Sequence, residues 1–142
     1  MFKLFLESIT KKYFKTNVRA SRKEYFSFVL FSTLLSEIAG FIFIINDQKM
    51  NWFIGLLVFI TILFTLYSFI PSITLTIRRL HDLNFSSWWF LIVILLAVLM
   101  VLFSDNKIIY YSLMTVLFTG VICLFFYKGT PITNKYGEPP IN

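Results

Sequence analysis

Four long apolar runs, Tyr25–Ile45, Trp52–Ile77, Trp88–Phe103 and Ile109–Tyr127, alternate with short polar connections. A hydrocarbon core of about 30 Å is crossed by about 20 helical residues. Only backbones whose hydrogen bonds close internally survive in lipid, so such runs restrict the chain to membrane helices. Runs one, two and four meet that length. Run three is short, and extends to the Ser86–Ser87 pair or crosses with little tilt. Threading all four through a bilayer puts Lys3, Lys11, Lys12, Lys15, Arg19, Arg22, Lys23, Arg78, Arg79, Lys128 and Lys135 on one face. Lys49 and Lys107 lie opposite, so 11 of the 13 Lys and Arg share a side. Positively charged loops stay cytoplasmic. The expected fold is an all-α integral membrane protein: an antiparallel four-transmembrane-helix bundle with both termini in the cytosol.

Composition supports this class. The chain is 58% hydrophobic and 14% charged, against about 25% charged in a soluble domain. Its 18 Phe exceed what a soluble core of 142 residues buries. Four crossings use most of the chain, leaving one membrane domain over residues 1–142. A net charge of +6 beside membrane segments suits anionic headgroups better than nucleic acid, for which no groove-reading element remains. Cys123, the only cysteine, sits in the fourth run and cannot form an intramolecular disulfide. The first apolar run is too long for a signal peptide, and Ser36-Glu37-Ile38-Ala39-Gly40 makes a poor cleavage site. It is expected to be retained.

Residues 1–24 form a cytoplasmic segment. Phe2, Phe5, Leu6, Ile9 and Tyr13 recur at three- and four-residue steps, which predicts an amphipathic helix lying at the headgroup level. Packing against the cytoplasmic end of its own bundle is the alternative. Ser21 and Glu24 have capping-box spacing at the entry to the first spanning helix. Asn46–Asn51 makes a short outer hairpin, and Trp52 is an interfacial aromatic. Pro71 removes a backbone donor within the second run and predicts a kink. The inner connection is Arg78-Arg79-Leu80-His81-Asp82-Leu83-Asn84, then Phe85-Ser86-Ser87 and Trp88-Trp89. The tail from Lys128-Gly129-Thr130-Pro131 carries too many helix breakers to prolong the last helix.

Three polar segments therefore meet on the cytoplasmic face: Arg19-Ala20-Ser21-Arg22-Lys23-Glu24-Tyr25, the Arg78–Asn84 stretch with Ser86-Ser87-Trp88-Trp89, and Lys128-Gly129-Thr130 with Asn134-Lys135-Tyr136-Gly137. In this order and spacing they resemble the bacterial inner-membrane family called domain of unknown function 805, over about Asn17 to Pro140. The chain departs from that family's pattern at Val18, Phe26 and Ser87, where Gly, Trp and Gly are expected, and at Ile132-Thr133. The resemblance implies a compact multi-spanning protein of the bacterial inner membrane, with no established activity.

The polar cluster of Arg19, Arg22, Glu24, Arg78, Arg79, His81, Asp82 and Tyr136 is the candidate lipid-phosphate site. Arg78 and Asp82 are one helical turn apart and able to pair. Arg79 then points elsewhere, where its planar fork matches the oxygens of a lipid phosphate. Alternatively Arg78, Arg79 and Asp82 pair with Glu24 and Arg22 and tie two helix ends together. His81 titrates near neutrality, but adjacent helical residues do not face each other, so a His81–Asp82 relay needs a break. Ser86 and Ser87 have no identifiable base beside them. One histidine, one cysteine and scattered carboxylates are thin for a metal site, and no cofactor is implied.

Glu37 is expected near or slightly beyond the bilayer middle, where a charge is costly and usually faces the bundle interior. Thr61, Thr65, Thr115 and Thr119 lie at comparable depth and are its candidate hydrogen-bond partners. The favoured function is non-enzymatic: a basic cytoplasmic face engaging anionic lipid or a protein partner, with a homo-oligomer as a further candidate assembly. The competitors are a small transporter or proton-coupled channel centred on Glu37, and a membrane enzyme acting on a lipid-linked phosphate.

Overall fold

The computed structural model describes residues 1–45 and 51–140. The outer hairpin from Asn46 to Met50, with Lys49, lies outside them. The elements are α1 (Phe2–Ile9), α2 (Arg22–Ile45), α3 (Trp52–Asp82), α4 (Trp88–Leu102) and α5 (Lys107–Phe126). Among the described residues the only β pairing is an isolated bridge between Asn134 and Gly137. Helices α2, α3 and α5 are long and apolar enough to cross a membrane, while α4 is a shorter apolar helix. The chain divides into two compact units: Met1–Lys15 with Lys23–Leu75, and Thr16–Arg22 with the chain from Thr76 onward.

In the first unit α1 lies along α2. Phe5 meets Phe28 and Phe31, and Phe2 meets Phe31, with ring centroids 6.1, 5.5 and 5.4 Å apart. Further along α1, Ser8 Oγ donates to Glu24 Oε1 at 3.2 Å, and Lys12 Nζ pairs with Glu24 Oε2 at 3.1 Å. Of the two arrangements the sequence leaves open for this segment, it adopts packing on its own neighbour along this face. The physical reason is Glu24, a buried carboxylate that needs donors. Phe2 and Leu6 nevertheless remain largely exposed.

Pro71 sits inside α3 without ending it. Its missing N–H leaves the Tyr67 carbonyl, four residues earlier, without its intrahelical donor. The Tyr13 hydroxyl takes that place at 2.8 Å. Tyr67 returns the contact by donating its own hydroxyl to the Ile9 carbonyl at 2.6 Å. Thr74 Oγ1 donates to the Tyr13 carbonyl at 3.0 Å. The proline thus docks the segment after α1.

In the second unit α3 continues to Asp82, so Arg78–Asp82 is helix and not the connection the sequence suggests. Arginine and leucine sustain a helix, and the stop signal comes later, at Asn84. Asn84 has φ 65°, the left-handed conformation that asparagine tolerates. Phe85 N–H donates to Leu80 O at 2.9 Å and Asn84 N–H to His81 O at 3.0 Å, the two bonds of a Schellman cap. This cap turns the chain sharply into α4. Helices α4 and α5 pack against each other. Neither has a buried residue.

Candidate functional site

The last turn of α3 ends on groups that need partners: the side chains of Arg79, His81 and Asp82, and the carbonyls of the helix end. The second unit supplies them from the segment before α2, the end of α5 and the tail.

Asp82, 3% exposed, is gripped from two sides. Arg19 gives Nε and Nη2 to its Oδ1 at 3.0 and 2.8 Å, and Arg79 pairs with its Oδ2. Arg19 Nη1 also donates to the Ile132 carbonyl at 2.8 Å, and its Nη2 to the Thr130 carbonyl. Arg79 reaches the end of α5, donating Nε to Leu124 O at 2.9 Å and Nη2 to Tyr127 O at 2.6 Å. A cation there also meets the negative end of the helix dipole.

These contacts correct one expectation. Arg79 does not point away from Asp82; it is the residue that pairs with it, because positions three apart share a helix face as well as those four apart. With no exposed surface and its donors engaged inward, Arg79 does not present its guanidinium to a headgroup. Arg78 is also fully buried, and its carbonyl accepts from Ala20 N–H at 3.1 Å. Glu24 belongs to the other unit, where Ser8 and Lys12 hold it.

The tail caps α3. Thr130 N–H and Oγ1 both donate to Asp82 O, at 2.9 and 3.2 Å. Asn134 Nδ2 donates to His81 O at 2.9 Å. A tight turn between Asn134 and Gly137, with Gly137 at φ 115°, lays the Tyr136 ring flat on His81, with centroids 3.8 Å apart and planes at 6°. Sequence reading missed Gly129: a Cβ built there would overlap the Asp82 carboxylate. The only signal for it was a glycine beyond a helix end, which reads equally well as a breaker.

His81 turns away from Asp82. Its Nδ1 is 3.1 Å from the Thr16 carbonyl oxygen and its Nε2 2.8 Å from Ser87 Oγ. Ser87 therefore does have a base beside it, contrary to the sequence reading. The cap at Asn84 returns the chain to His81 within six residues, which no helical periodicity reveals. Among the described residues no cluster of three or more His, Cys, Asp or Glu forms a metal-binding group.

Beside the Asp82–Arg79 pair lies a cavity of about 210 Å³, bordered by Ser21, Arg22, Lys128, Thr130, Pro131 and Pro139. Arg22 and Lys128 are exposed. Arg22 Nη1 lies 3.4 Å from Phe126 O, at the end of α5.

Glu37 lies exposed on α2. Its expected partners donate instead to carbonyls of their own helices: Thr61 to Leu57, Thr65 to Thr61, Thr115 to Tyr111 and Thr119 to Thr115, at 2.8–2.9 Å. Threonine in a helix has that acceptor within reach of its own side chain.

Comparison with known proteins agrees with this helical, apolar architecture. The chain is 32% identical over 136 residues to "Inner membrane protein YhaI" of Escherichia coli strain K12, covering 94% of this chain and 92% of the relative. The protein of that name from Escherichia coli O157:H7 matches to the same extent. No solved structure matches. Residues 13–138, which hold every member of the polar cluster, match the family described as "Protein of unknown function (DUF805)", and the chain belongs to that family.

Proposed function

We propose that this is an inner-membrane protein that crosses the bilayer four times, keeps both ends in the cytosol, and engages anionic lipid headgroups with its basic cytoplasmic face. The one-sided distribution of Lys and Arg supports the orientation, and the relative's name supports the membrane. Helix α4, at 15 residues, rises about 22 Å. It is the fourth crossing if the bilayer thins or flanking residues reach outward.

The observation that carries headgroup binding is the pairing of Arg22 and Lys128 at one cavity. Helix α5 ends at Phe126, so Lys128 emerges just beyond the membrane helix, at phosphate depth. Arginine supplies a planar fork and lysine a mobile point charge, a combination suited to a phosphate group. Asp82 on the same wall does not repel an anion, because Arg19 and Arg79 neutralise it.

The test is native mass spectrometry of protein purified in mild detergent. Wild type is expected to retain anionic phospholipid, and Arg22→Gln with Lys128→Gln to lose it while staying folded. Equal retention by both proteins would remove this reading.

A further inference from the structure

We propose that Ser87 is a nucleophile activated by His81, and that it accepts the acyl group of a membrane-lipid ester. This goes beyond headgroup binding and uses different residues.

A serine hydroxyl is a weak nucleophile unless a base takes its proton and a third group orients that base. All three parts are present. The Thr16 carbonyl can only accept, so the His81 Nδ1 that faces it at 3.1 Å carries the ring proton. In the neutral ring Nε2 is then the acceptor, and Ser87 Oγ–H, at 2.8 Å, donates to it. That is the tautomer a general base requires. A backbone carbonyl here does the orienting that a carboxylate does in the familiar triad. Tyr136, stacked at 3.8 Å, holds the ring in plane. The base is buried and the serine residue exposed.

Two features argue against a merely structural hydroxyl. Ser87 occupies the N-cap of α4, where serine normally caps the first turn, yet its side chain makes no capping bond. It is committed to His81 instead. Its chain neighbours Ser86 and Trp88 border the near end of an apolar groove of about 350 Å³, lined further along by Trp89, Leu91, Ile92 and Leu95. From Ser86 to Leu95 the groove follows α4 for about 13 Å. An acyl chain lying there would bring its ester to the interfacial end, where Ser87 stands. Trp89 and Phe90 N–H groups are already bonded to Ser86 and Ser87 carbonyls. The Trp88 N–H, which has no acceptor inside the helix, is the donor available to a developing oxyanion.

The reaction balances without a cofactor. Ser87 Oγ attacks the ester carbonyl carbon and passes its proton to His81 Nε2. The carbon–oxygen bond to the alcohol breaks, and the alcohol leaves with that proton. Water then attacks the acyl-serine, again through His81, releasing a fatty acid and restoring Ser87.

The experiment is labelling of the full-length protein in phospholipid nanodiscs with a biotinylated fluorophosphonate, mapped by mass spectrometry. The expected adduct lies on Ser87, is absent in Ser87→Ala, and is unaffected in Ser112→Ala. His81→Gln is expected to slow labelling about 100-fold or more, the scale of general base catalysis, with thermal unfolding reporting that it still folds. Release of fatty acid from a nanodisc ester should follow the same pattern. If His81→Gln fails to fold, the wild-type and Ser87→Ala proteins still decide. A folded wild type that stays unlabelled, an adduct elsewhere than Ser87, or an unchanged rate in folded His81→Gln would each overturn the proposal.

Discussion

Asp82 organises the second unit through charge. One buried carboxylate between two buried arginines is tolerable because backbone carbonyls take the remaining guanidinium donors. Removing the anion leaves both cations uncompensated, so Asp82→Asn is expected to cost about 3–5 kcal/mol, read as a fall in unfolding temperature in detergent. Gly129 tests the same point sterically. Its hydrogen faces Asp82 where a methyl group would overlap the carboxylate, and two arginines hold that carboxylate in place. Gly129→Ala should therefore destabilise about as much as breaking the ion pair, about 3 kcal/mol or more. Gly120→Ala, with nothing within 4 Å of the added carbon, should stay within about 1 kcal/mol of wild type. Equal effects of the two substitutions would show that Gly129 is not packed on Asp82.

Helix ends carry most of the specific architecture. The cap of α3 requires a left-handed residue at Asn84. Asn84→Ala should cost about 1–2 kcal/mol, and Asn84→Gly almost nothing, a contrast visible in thermal melts. In the first unit, the proline inside α3 frees a carbonyl that Tyr13 satisfies. Tyr13→Phe keeps the ring and removes the donor, so it should cost about 0.5–1.5 kcal/mol, the net range for one hydrogen bond. A Tyr13→Phe protein as stable as wild type would mean that the Tyr67 carbonyl finds another donor. Helix existence was legible from the apolar runs. Their ends were less so, because Arg22-Lys23-Glu24 and Arg78–Asp82 are polar yet good helix formers, and polarity is easily taken for a loop.

At the scale of the whole molecule, the charge asymmetry makes a topological claim. With Cys123→Ser as background, a membrane-impermeant maleimide added to intact cells should label Ser104→Cys and leave Thr133→Cys unlabelled. The reverse pattern would invert the proposed orientation. Family membership, read first from RASRKEY and RRLHD, is confirmed by the match over residues 13–138.

The sequence alone determined the class of protein, because hydrophobic run length and charge placement answer to the bilayer, a solvent that acts on each segment separately. It also marked the three polar segments of the candidate site. Only tertiary structure decided what those residues do. On a helical wheel Arg79 suits either a headgroup or an ion pair, and packing makes it a buried link between Asp82 and the carbonyls of α5. Spacing offers Ser87 no base, and the turn at Asn84 sets it 2.8 Å from His81 Nε2. Such pairings depend on which chain ends meet and on which buried donors and acceptors must be matched there. That matching is a property of the folded chain, and spacing along a sequence does not contain it.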